Sequence, residues 1–162
     1  MVHSEFLKRI DIFQPLSEDE LNSFAAVMRE ETFPPGAVVF SENSTGNNMY
    51  IVREGSIDIG KRDEASGTVV KVVRLGPGEV LGELSIFDEK PRSAGALAAG
   101  PGSTVLLSIS KSDLDRLITQ NPALAIKFLR TILQKVISRL RQADDVLLIL
   151  GKMNGILDKI RR

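Results

Sequence analysis

One stretch of the chain determines its fold, and it runs Gly82-Glu83-Leu84-Ser85-Ile86-Phe87-Asp88-Glu89-Lys90-Pro91-Arg92-Ser93-Ala94. It places a carboxylate at Glu83, a guanidinium at Arg92 and hydroxyl groups near both ends, with one short loop between them. Such a loop can fold back, so that Glu83 and Arg92 face one small polar molecule from two sides. Backbone N–H groups around Gly82 and in the turn after Glu83 add an anion-binding nest or a short helix N-terminus beneath that molecule.

The chemistry of these two side chains predicts the kind of ligand. A carboxylate accepts hydrogen bonds from both hydroxyls of a sugar diol, whereas a guanidinium presents a rigid planar fork to phosphate oxygens. We therefore expect a ribose that carries a phosphate. The alternative is that Glu83 and Arg92 are solvated surface charges that make at most an exposed ion pair of small energy.

The same stretch resembles the phosphate-binding cassette of cyclic nucleotide-binding domains. The resemblance continues upstream through strands and turn glycines, namely Phe33-Pro34-Pro35-Gly36, Val38-Val39-Phe40 and Asn48-Met49-Tyr50-Ile51-Val52-Arg53-Glu54-Gly55-Ser56-Ile57. It covers the chain from about Ile12 to about Leu150. The resemblance implies a mainly β fold with flanking α-helices, a double-wound β-roll of jelly-roll type with an N-terminal helix and a long C-terminal helix.

The resemblance also implies a role for each residue of the cassette. Glu83 would accept the ribose 2′-hydroxyl, and Arg92 would pair with the exocyclic oxygens of the cyclic phosphate. Ser93 would lie beside the phosphate and the base, while backbone N–H groups near Leu84 and Ser85 would close the phosphate site. The expected ligand-binding residues are Gly82, Glu83, Leu84, Ser85, Arg92, Ser93 and Ala94.

Length and composition exclude several classes of function. The 162 residues suffice for one domain with a helical extension, and the 21 basic and 21 acidic side chains create no overall field that would attract nucleic acid or an anionic membrane. The absence of Cys and the single His argue against disulfides and the usual metal sites. The sequence offers no nucleophile paired with a general base, so we expect neither an enzyme nor a catalytic residue. Because the chain shows neither a secretory signal nor an apolar run that could span a bilayer, we expect a cytoplasmic protein without a membrane partner.

Local patterns predict the elements of residues 1–121, the proposed nucleotide-binding roll with its N-terminal helix. Ser17-Glu18-Asp19-Glu20 has the form of a capping box, and a helix should follow to about Glu31. Short β-branched runs with recurring turn signals then predict an antiparallel roll, and they cover residues 38–41, 49–53, 57–61, 69–75, 94–98 and 104–109. Gly82 is assigned to the site. The glycines assigned only to turns are Gly36, Gly46, Gly55, Gly67, Gly76 and Gly78.

Residues 122–150 are predicted to form a long C-terminal dimerisation helix, followed by a short tail at residues 151–162. Apolar positions on this helix recur with alternating spacings of three and four, as in a coiled-coil seam. The seam residues are Ile126, Leu129, Leu133, Val136, Leu140, Ala143, Leu147 and Leu150. We expect the seam to pair two copies in a homodimer, with Phe128, Ile132 and Ile137 facing the roll. The alternative is one amphipathic helix docked on its own roll.

The sequence thus predicts a cyclic nucleotide sensor that transmits ligand binding through its C-terminal helix to a downstream protein and needs no other cofactor. We favour cyclic AMP over cyclic GMP, and the candidates for contact with the base are Arg141, Gln142 and Asp144. Two alternatives stay open: a dimeric interaction module that binds no nucleotide, and the sensor fragment of a longer transcription regulator. The twelve residues after Leu150 are too few for a helix-turn-helix, which argues against direct DNA binding.

Overall fold

A computed structural model describes the backbone of residues 2–160 and the side chains of residues 3–153. The helices are α1 (Val2–Leu7), α2 (Glu18–Val27), α3 (Glu83–Asp88), α4 (Lys111–Gln120) and α5 (Pro122–Ile160), with a 3-10 turn at Asp11–Phe13. The strands are β1 (Arg29–Phe33), β2 (Val38–Phe40), β3 (Asn48–Glu54), β4 (Ser56–Arg62), β5 (Val69–Leu75), β6 (Val80–Leu81), β7 (Gly95–Ala99) and β8 (Thr104–Ser110). The predicted fold class, a mainly β roll with an N-terminal and a long C-terminal helix, is confirmed.

The eight strands form two antiparallel sheets of four strands each. The first sheet has the order β1-β8-β3-β6, and the second has the order β2-β7-β4-β5. Each sheet thus pairs strands that are distant in the sequence, as a double-wound roll requires. Side chains from both sheets, including Val52, Ile57 and Leu106, pack together in one apolar core between them.

A second apolar core lies between the first sheet and the helices. Side chains on a strand alternate between its two faces, and β3 and β8 are apolar on both. On β3, Val52 points into the core between the sheets, whereas Met49 and Ile51 point toward the helices. On β8, Leu107 and Ile109 likewise point toward the helices. The central strands are therefore covered on both faces, and the helices are fixed against the roll.

The helix α2 begins as predicted but ends earlier. The Ser17 hydroxyl accepts a hydrogen bond from the Glu20 backbone N–H at 3.3 Å, and the Glu20 carboxylate accepts one from the Ser17 N–H at 2.7 Å. The expectation that this helix reaches about Glu31 was wrong, because α2 ends at Val27 and β1 follows. This strand lies at the sheet edge beside β8 and carries charged residues, so no apolar alternation marks it in the sequence.

The helix α5 begins at its predicted position, and the shorter helix α4 precedes it. Ser110 caps α4 by accepting a hydrogen bond from the Asp113 backbone N–H at 3.1 Å. The helix α5 starts at Pro122 but continues past Leu150, where the sequence analysis placed its end, and reaches Ile160. Most of the predicted tail is therefore helical, and residues 161–162 lie outside the described residues.

The face of α5 that packs on the roll was predicted only in part. Phe128 and Ile132 are buried as expected, and Val136 packs against the same core. The assignment of Ile137 to this face was wrong, because its side chain is 41% exposed. A neighbouring face carries a row of exposed apolar residues, here called the outer stripe, which consists of Ile126, Leu129, Leu133, Ile137, Leu140 and Leu147.

Three phenylalanine rings connect α5 to the N-terminal helices. The ring centroids of Phe13, Phe24 and Phe128 lie 4.9 to 5.9 Å apart, and all three side chains are fully buried. Aromatic pairs at such distances add to the stabilisation from burial. This cluster therefore holds the start of α5 in place.

We expect Phe128→Ala to lower the free energy of unfolding by about 3 to 5 kcal/mol, because the substitution removes a buried ring and leaves a cavity. Urea denaturation followed by circular dichroism measures the change. The control is Gln134→Ala on the exposed part of the same helix, which should alter stability by less than about 0.5 kcal/mol. A loss below about 1 kcal/mol for Phe128→Ala would contradict the assigned role of the cluster.

Candidate functional site

A cavity of about 480 Å³ lies beside the cassette, and it is lined by residues of β2, β4, β5, β6, α3, the loop before β7 and one face of α5. Its volume is within the range of roughly 300 to 1,000 Å³ that is usual for small-molecule sites. All residues singled out from the sequence as ligand-binding candidates line this cavity, and they are Gly82, Glu83, Leu84, Ser85, Arg92, Ser93 and Ala94.

The start of α3 forms one wall of the cavity. Gly82 precedes this helix with a φ of +76°, a left-handed conformation that glycine adopts without strain. A Cβ at Gly82 would also collide with the guanidinium of Arg92 and lie 3.1 Å from the Asn48 carbonyl oxygen. No side chain caps α3, so the backbone N–H groups of its first turn have no side-chain acceptor within the described part of the chain.

Arg92 is fixed by its backbone and by its side chain. Its N–H donates to the Ser44 carbonyl at 2.9 Å, and its carbonyl accepts from the Asn43 N–H at 2.8 Å. The side chain donates from Nη1 to the Gly82 carbonyl at 2.7 Å and from Nη2 to the Asn48 carbonyl at 2.6 Å. These contacts hold the loop before β7 against the loop between β2 and β3.

The guanidinium of Arg92 is buried without a countercharge in direct contact. The residue is only 3% exposed, its Cζ lies 4.2 Å from the ring centroid of Phe40, and its Nε has no hydrogen-bond partner among the described residues. Burial lowers the pKa of Arg92, while Tyr50 and Glu83 act in the opposite direction. Each Nη atom keeps a further N–H donor. The site therefore holds a desolvated cation whose partners are neutral.

Glu83 pairs with a residue that the sequence analysis did not identify. Its side chain is buried, and its Oε1 accepts a hydrogen bond from Nη1 of Arg139 on α5 at 2.5 Å. Nη2 of Arg139 donates to the Val80 carbonyl of β6 at 2.8 Å. The sequence predicted that Glu83 and Arg92 lie at one site, and they do. They do not pair with each other, however: Glu83 pairs with Arg139, whereas Arg92 donates to the carbonyls of Gly82 and Asn48.

The helix α5 contributes polar side chains to the opposite wall of the cavity, and they are Lys135, Ser138, Arg139 and Gln142. Of the three candidates for contact with a base, Gln142 lines the cavity, whereas Arg141 and Asp144 do not. Burial lowers the pKa of Lys135, and nearby Arg139 adds to this effect. Three carboxylates, Glu79, Glu83 and Asp11, oppose it.

Two further residues shape the site although the sequence pattern gave them no role there. Gly46 was assigned to a turn, but a Cβ at this position would overlap the guanidinium of Arg92. Phe40 was assigned only to a strand, yet its ring packs against the same guanidinium. Both contacts join segments that are far apart in the sequence, so local spacing could not reveal them.

The arrangement suits the binding of a small anion that also carries hydroxyl groups. Arg92 provides cationic donors, and Glu83 provides a carboxylate acceptor in the same cavity. Among the described residues, no group of three or more His, Cys, Asp or Glu side chains is placed to hold a metal ion.

None of the described helices combines the length and the apolar character that crossing a membrane requires.

Comparison with known proteins agrees with this geometry. A family profile described as "Cyclic nucleotide-binding domain" matches residues 30–121 of the chain. The CRP-like cAMP-activated global transcriptional regulator of Mycobacterium tuberculosis H37Rv is 30% identical over 132 residues, which make up 82% of this chain and 58% of that protein. The chain thus spans little more than half the length of that regulator.

Solved structures show the same fold. A cyclic nucleotide-binding domain from Methylobacillus flagellatus KT is 25% identical with a TM-score of 0.79, and the match covers 90% of this chain and 80% of that one. The regulatory domain of Toxoplasma gondii PKA, crystallised with cAMP, is 25% identical with a TM-score of 0.71 over 85% of this chain and 49% of that one. Because the family profile also covers more than half of the sequence, the chain belongs to the cyclic nucleotide-binding domain family.

Proposed function

We propose that this protein binds a cyclic nucleotide in the cavity beside the cassette and acts as a regulatory sensor rather than as an enzyme. One observation carries the proposal. The guanidinium of Arg92 is buried in the cavity wall, and within the described part of the chain only neutral carbonyl oxygens accept its hydrogen bonds. A buried cation without a countercharge is costly in free energy, and an anionic phosphate would supply that charge.

The remaining cassette residues are assigned to the rest of the nucleotide. Glu83 would accept the ribose 2′-hydroxyl, since its second carboxylate oxygen makes no hydrogen bond to the described residues. Backbone N–H groups at Leu84 and Ser85, in the uncapped first turn of α3, would bind phosphate oxygens. Ser93 and Ala94, which follow Arg92 in the cavity wall, would lie beside the phosphate and the base.

Cyclic AMP is the proposed ligand in preference to cyclic GMP. The M. tuberculosis relative is described as cAMP-activated, and the T. gondii domain was crystallised with cAMP. On α5, Ser138 and Gln142 line the cavity, and each carries both a donor and an acceptor. An amide such as that of Gln142 can form two hydrogen bonds with the edge of an adenine base.

The outer stripe of α5 supports a homodimer. Its residues lie on a different face of the helix from Phe128 and Ile132, and Leu133 and Leu140 are 58% and 61% exposed. An exposed apolar row at heptad spacing is the pattern by which two helices pair in a coiled coil. Since the inner face of the same helix lines the cavity, a nucleotide could bias the position of α5 and so the arrangement of the two copies. A cytoplasmic location and a downstream protein partner complete the proposal.

A dimeric interaction module is the second candidate function. The segment Val146-Leu147-Leu148-Ile149-Leu150 is exposed at every residue, and five consecutive positions occupy all sides of a helix. One partner helix would cover only part of this surface. The remainder could bind another protein whether or not a nucleotide is present.

We expect Arg92→Ala to weaken nucleotide binding by about 2 to 5 kcal/mol, because the substitution removes one partner of a desolvated charge pair. Isothermal titration calorimetry with cyclic AMP and cyclic GMP measures the loss and identifies the preferred base. Arg92→Lys should lose less affinity, since it keeps the charge but not the planar fork. Arg62→Ala, at an exposed arginine, should bind as the wild type does.

Thermal unfolding of each variant checks that the fold is retained. Unchanged affinity in a folded Arg92→Ala variant would refute the assignment of the phosphate site. Failure of the wild-type protein to bind either nucleotide would refute the sensor function and favour the interaction module.

We expect Leu133→Glu to convert a homodimer into a monomer, because two carboxylates would then face each other in an apolar seam. Sedimentation velocity over a range of protein concentrations gives the mass of the wild type and of the variant. The matched control is Gln134→Glu, which introduces the same charge on the exposed flank of the helix and should leave the dimer intact. A wild-type protein that is monomeric throughout would instead support a single helix docked on its own roll.

A further inference from the structure

We propose that Lys135 is a binding site for carbon dioxide, which its uncharged amine would convert into a carbamate inside the cavity. Lys135 belongs to α5 and lines the cavity, but the proposed function gives it no role. Carbamate formation does not depend on that function. Its expected consequence, weaker binding of a cyclic nucleotide, does rest on it.

Among the lysines whose side chains the structure describes, Lys135 is the one that is partly buried without an ion pair. Lys111 is partly buried as well, but its Nζ lies 2.9 Å from the Asp115 carboxylate. Lys127 is also partly buried, and its Nζ lies 2.8 Å from the Glu20 carboxylate. The ammonium form of Lys135 therefore loses hydration and gains no direct partner among the described residues.

The neighbours of Lys135 also favour its uncharged form. Arg139 lies four residues further along α5, and residues at this spacing are neighbours on a helix surface. Burial lowers the pKa of Lys135, and the charge of Arg139 lowers it further. The carboxylates of Glu79 before β6, Glu83 on α3 and Asp11 in the 3-10 turn oppose this, but the pKa remains lowered. A lysine that is desolvated beside another cation is a nucleophile.

The two carboxylates in the cavity lining have partners of their own. Oε1 of Glu83 accepts a hydrogen bond from Arg139. Oε2 of Glu79 accepts one from the Gly76 backbone N–H at 2.9 Å. Neither carboxylate forms an ion pair with Lys135, so the amine is left available for reaction.

The reaction with carbon dioxide needs no cofactor and no second reactant. The lone pair of Nζ attacks the carbon atom, an N–C bond forms, one C–O π bond opens to give a carboxylate, and a proton passes from Nζ to water. Carbon dioxide is small and uncharged, so it can reach a half-buried amine without further recognition groups. Nζ of Lys135 is not among the fully enclosed atoms without a partner, so it contacts the cavity or solvent.

Arg139 can also stabilise the product. Its guanidinium has five N–H donors, and its contacts in the structure are to Glu83 and to the Val80 carbonyl. The remaining donors can bind a carbamate on the neighbouring turn through charge-assisted hydrogen bonds. The same side chain thus favours the uncharged amine before the reaction and the anion after it.

A carbamate at Lys135 would oppose the binding of an anionic ligand. The reaction replaces a positive charge by a negative one in the cavity where Arg92 would bind the phosphate. Coupling between two ligands is reciprocal, so a bound nucleotide would weaken the binding of carbon dioxide by the same factor. The cavity would then respond to two small molecules of opposite effect.

The carbamate is detected by trapping it on the full wild-type chain. The protein is equilibrated with isotope-labelled bicarbonate near neutral pH, ethylated with triethyloxonium and analysed by peptide mass spectrometry. We expect Lys135 to carry at least about fivefold more label than the exposed Lys61 and Lys152, because burial and Arg139 favour the reactive amine. Saturating cyclic AMP should suppress the label at Lys135 and leave that at Lys61 unchanged.

Calorimetry tests the effect on the nucleotide. Bicarbonate buffer should weaken the binding of cyclic AMP to the wild type by at least about threefold relative to chloride at equal ionic strength, because it introduces a negative charge into the cavity. Lys135→Arg should show no such difference, since a guanidinium stays protonated. The matched control Lys152→Arg should respond as the wild type does. Bicarbonate that merely competed for Arg92 would weaken the wild type and Lys135→Arg equally.

Carbamate formation is refuted if Lys135 carries no more label than Lys61 and Lys152. A short peptide with a free α-amino group, whose pKa is about 8, is labelled in the same tube to show that trapping works. Because the label is located on the wild-type chain, this result does not depend on the folding of a variant.

The antagonism is refuted if Lys135 is labelled but bicarbonate leaves the affinity for cyclic AMP unchanged, or weakens Lys135→Arg as much as the wild type. A wild-type protein that is labelled at Lys135 but binds neither nucleotide would refute the proposed function and leave the carbamate site standing. Nucleotide binding without label would do the reverse, so the two failures are distinguishable.

Discussion

The burial of the Arg92 guanidinium is the constraint on which the rest of the site depends. A desolvated cation needs several acceptors, and the fold provides the carbonyl oxygens of Gly82 and Asn48 together with the face of the Phe40 ring. Room for the side chain exists because Gly46 and Gly82 have no Cβ. The loop between β2 and β3, the start of α3 and the loop before β7 are therefore shaped around one side chain.

The helix α5 connects this site to the remainder of the molecule, because its different faces have different neighbours. Phe128 anchors one face in the core beneath the first sheet, and Arg139 reaches the cassette carboxylate from an adjoining face. The outer stripe remains exposed on another face. A rigid helix cannot move one face without the others. The cassette carboxylate and the outer stripe are therefore joined through one helix, without an intervening loop.

The sequence predicted the local features of the fold and of the site, and it failed where distant contacts decide. The cassette spacing identified Glu83 and Arg92, since both lie in one short loop and helix. Nothing in that spacing points to Arg139, which lies on another element and meets Glu83 only after α5 has docked. The wrong assignment of Ile137 to the face that packs on the roll has a related cause. A seven-residue repeat drifts by about 20° per heptad on a straight helix, so docking on the roll selects a face that includes Val136 and leaves Ile137 exposed.

The charges in the cavity bear on the form of phosphate that fits it. The charged residues in the lining are three cations, Arg92, Lys135 and Arg139, and two anions, Glu79 and Glu83. Arg139 is paired with Glu83, and Lys135 lies within the field of Glu79, so the charge of Arg92 is the one left without a balance. A cyclic phosphodiester carries a single negative charge and would neutralise it. A phosphate monoester carries a second charge at neutral pH, since its second pKa is about 6, and would leave that charge desolvated beside two carboxylates. By this count of charges, a cyclic phosphodiester matches the unbalanced charge of Arg92 more closely than a phosphate monoester does.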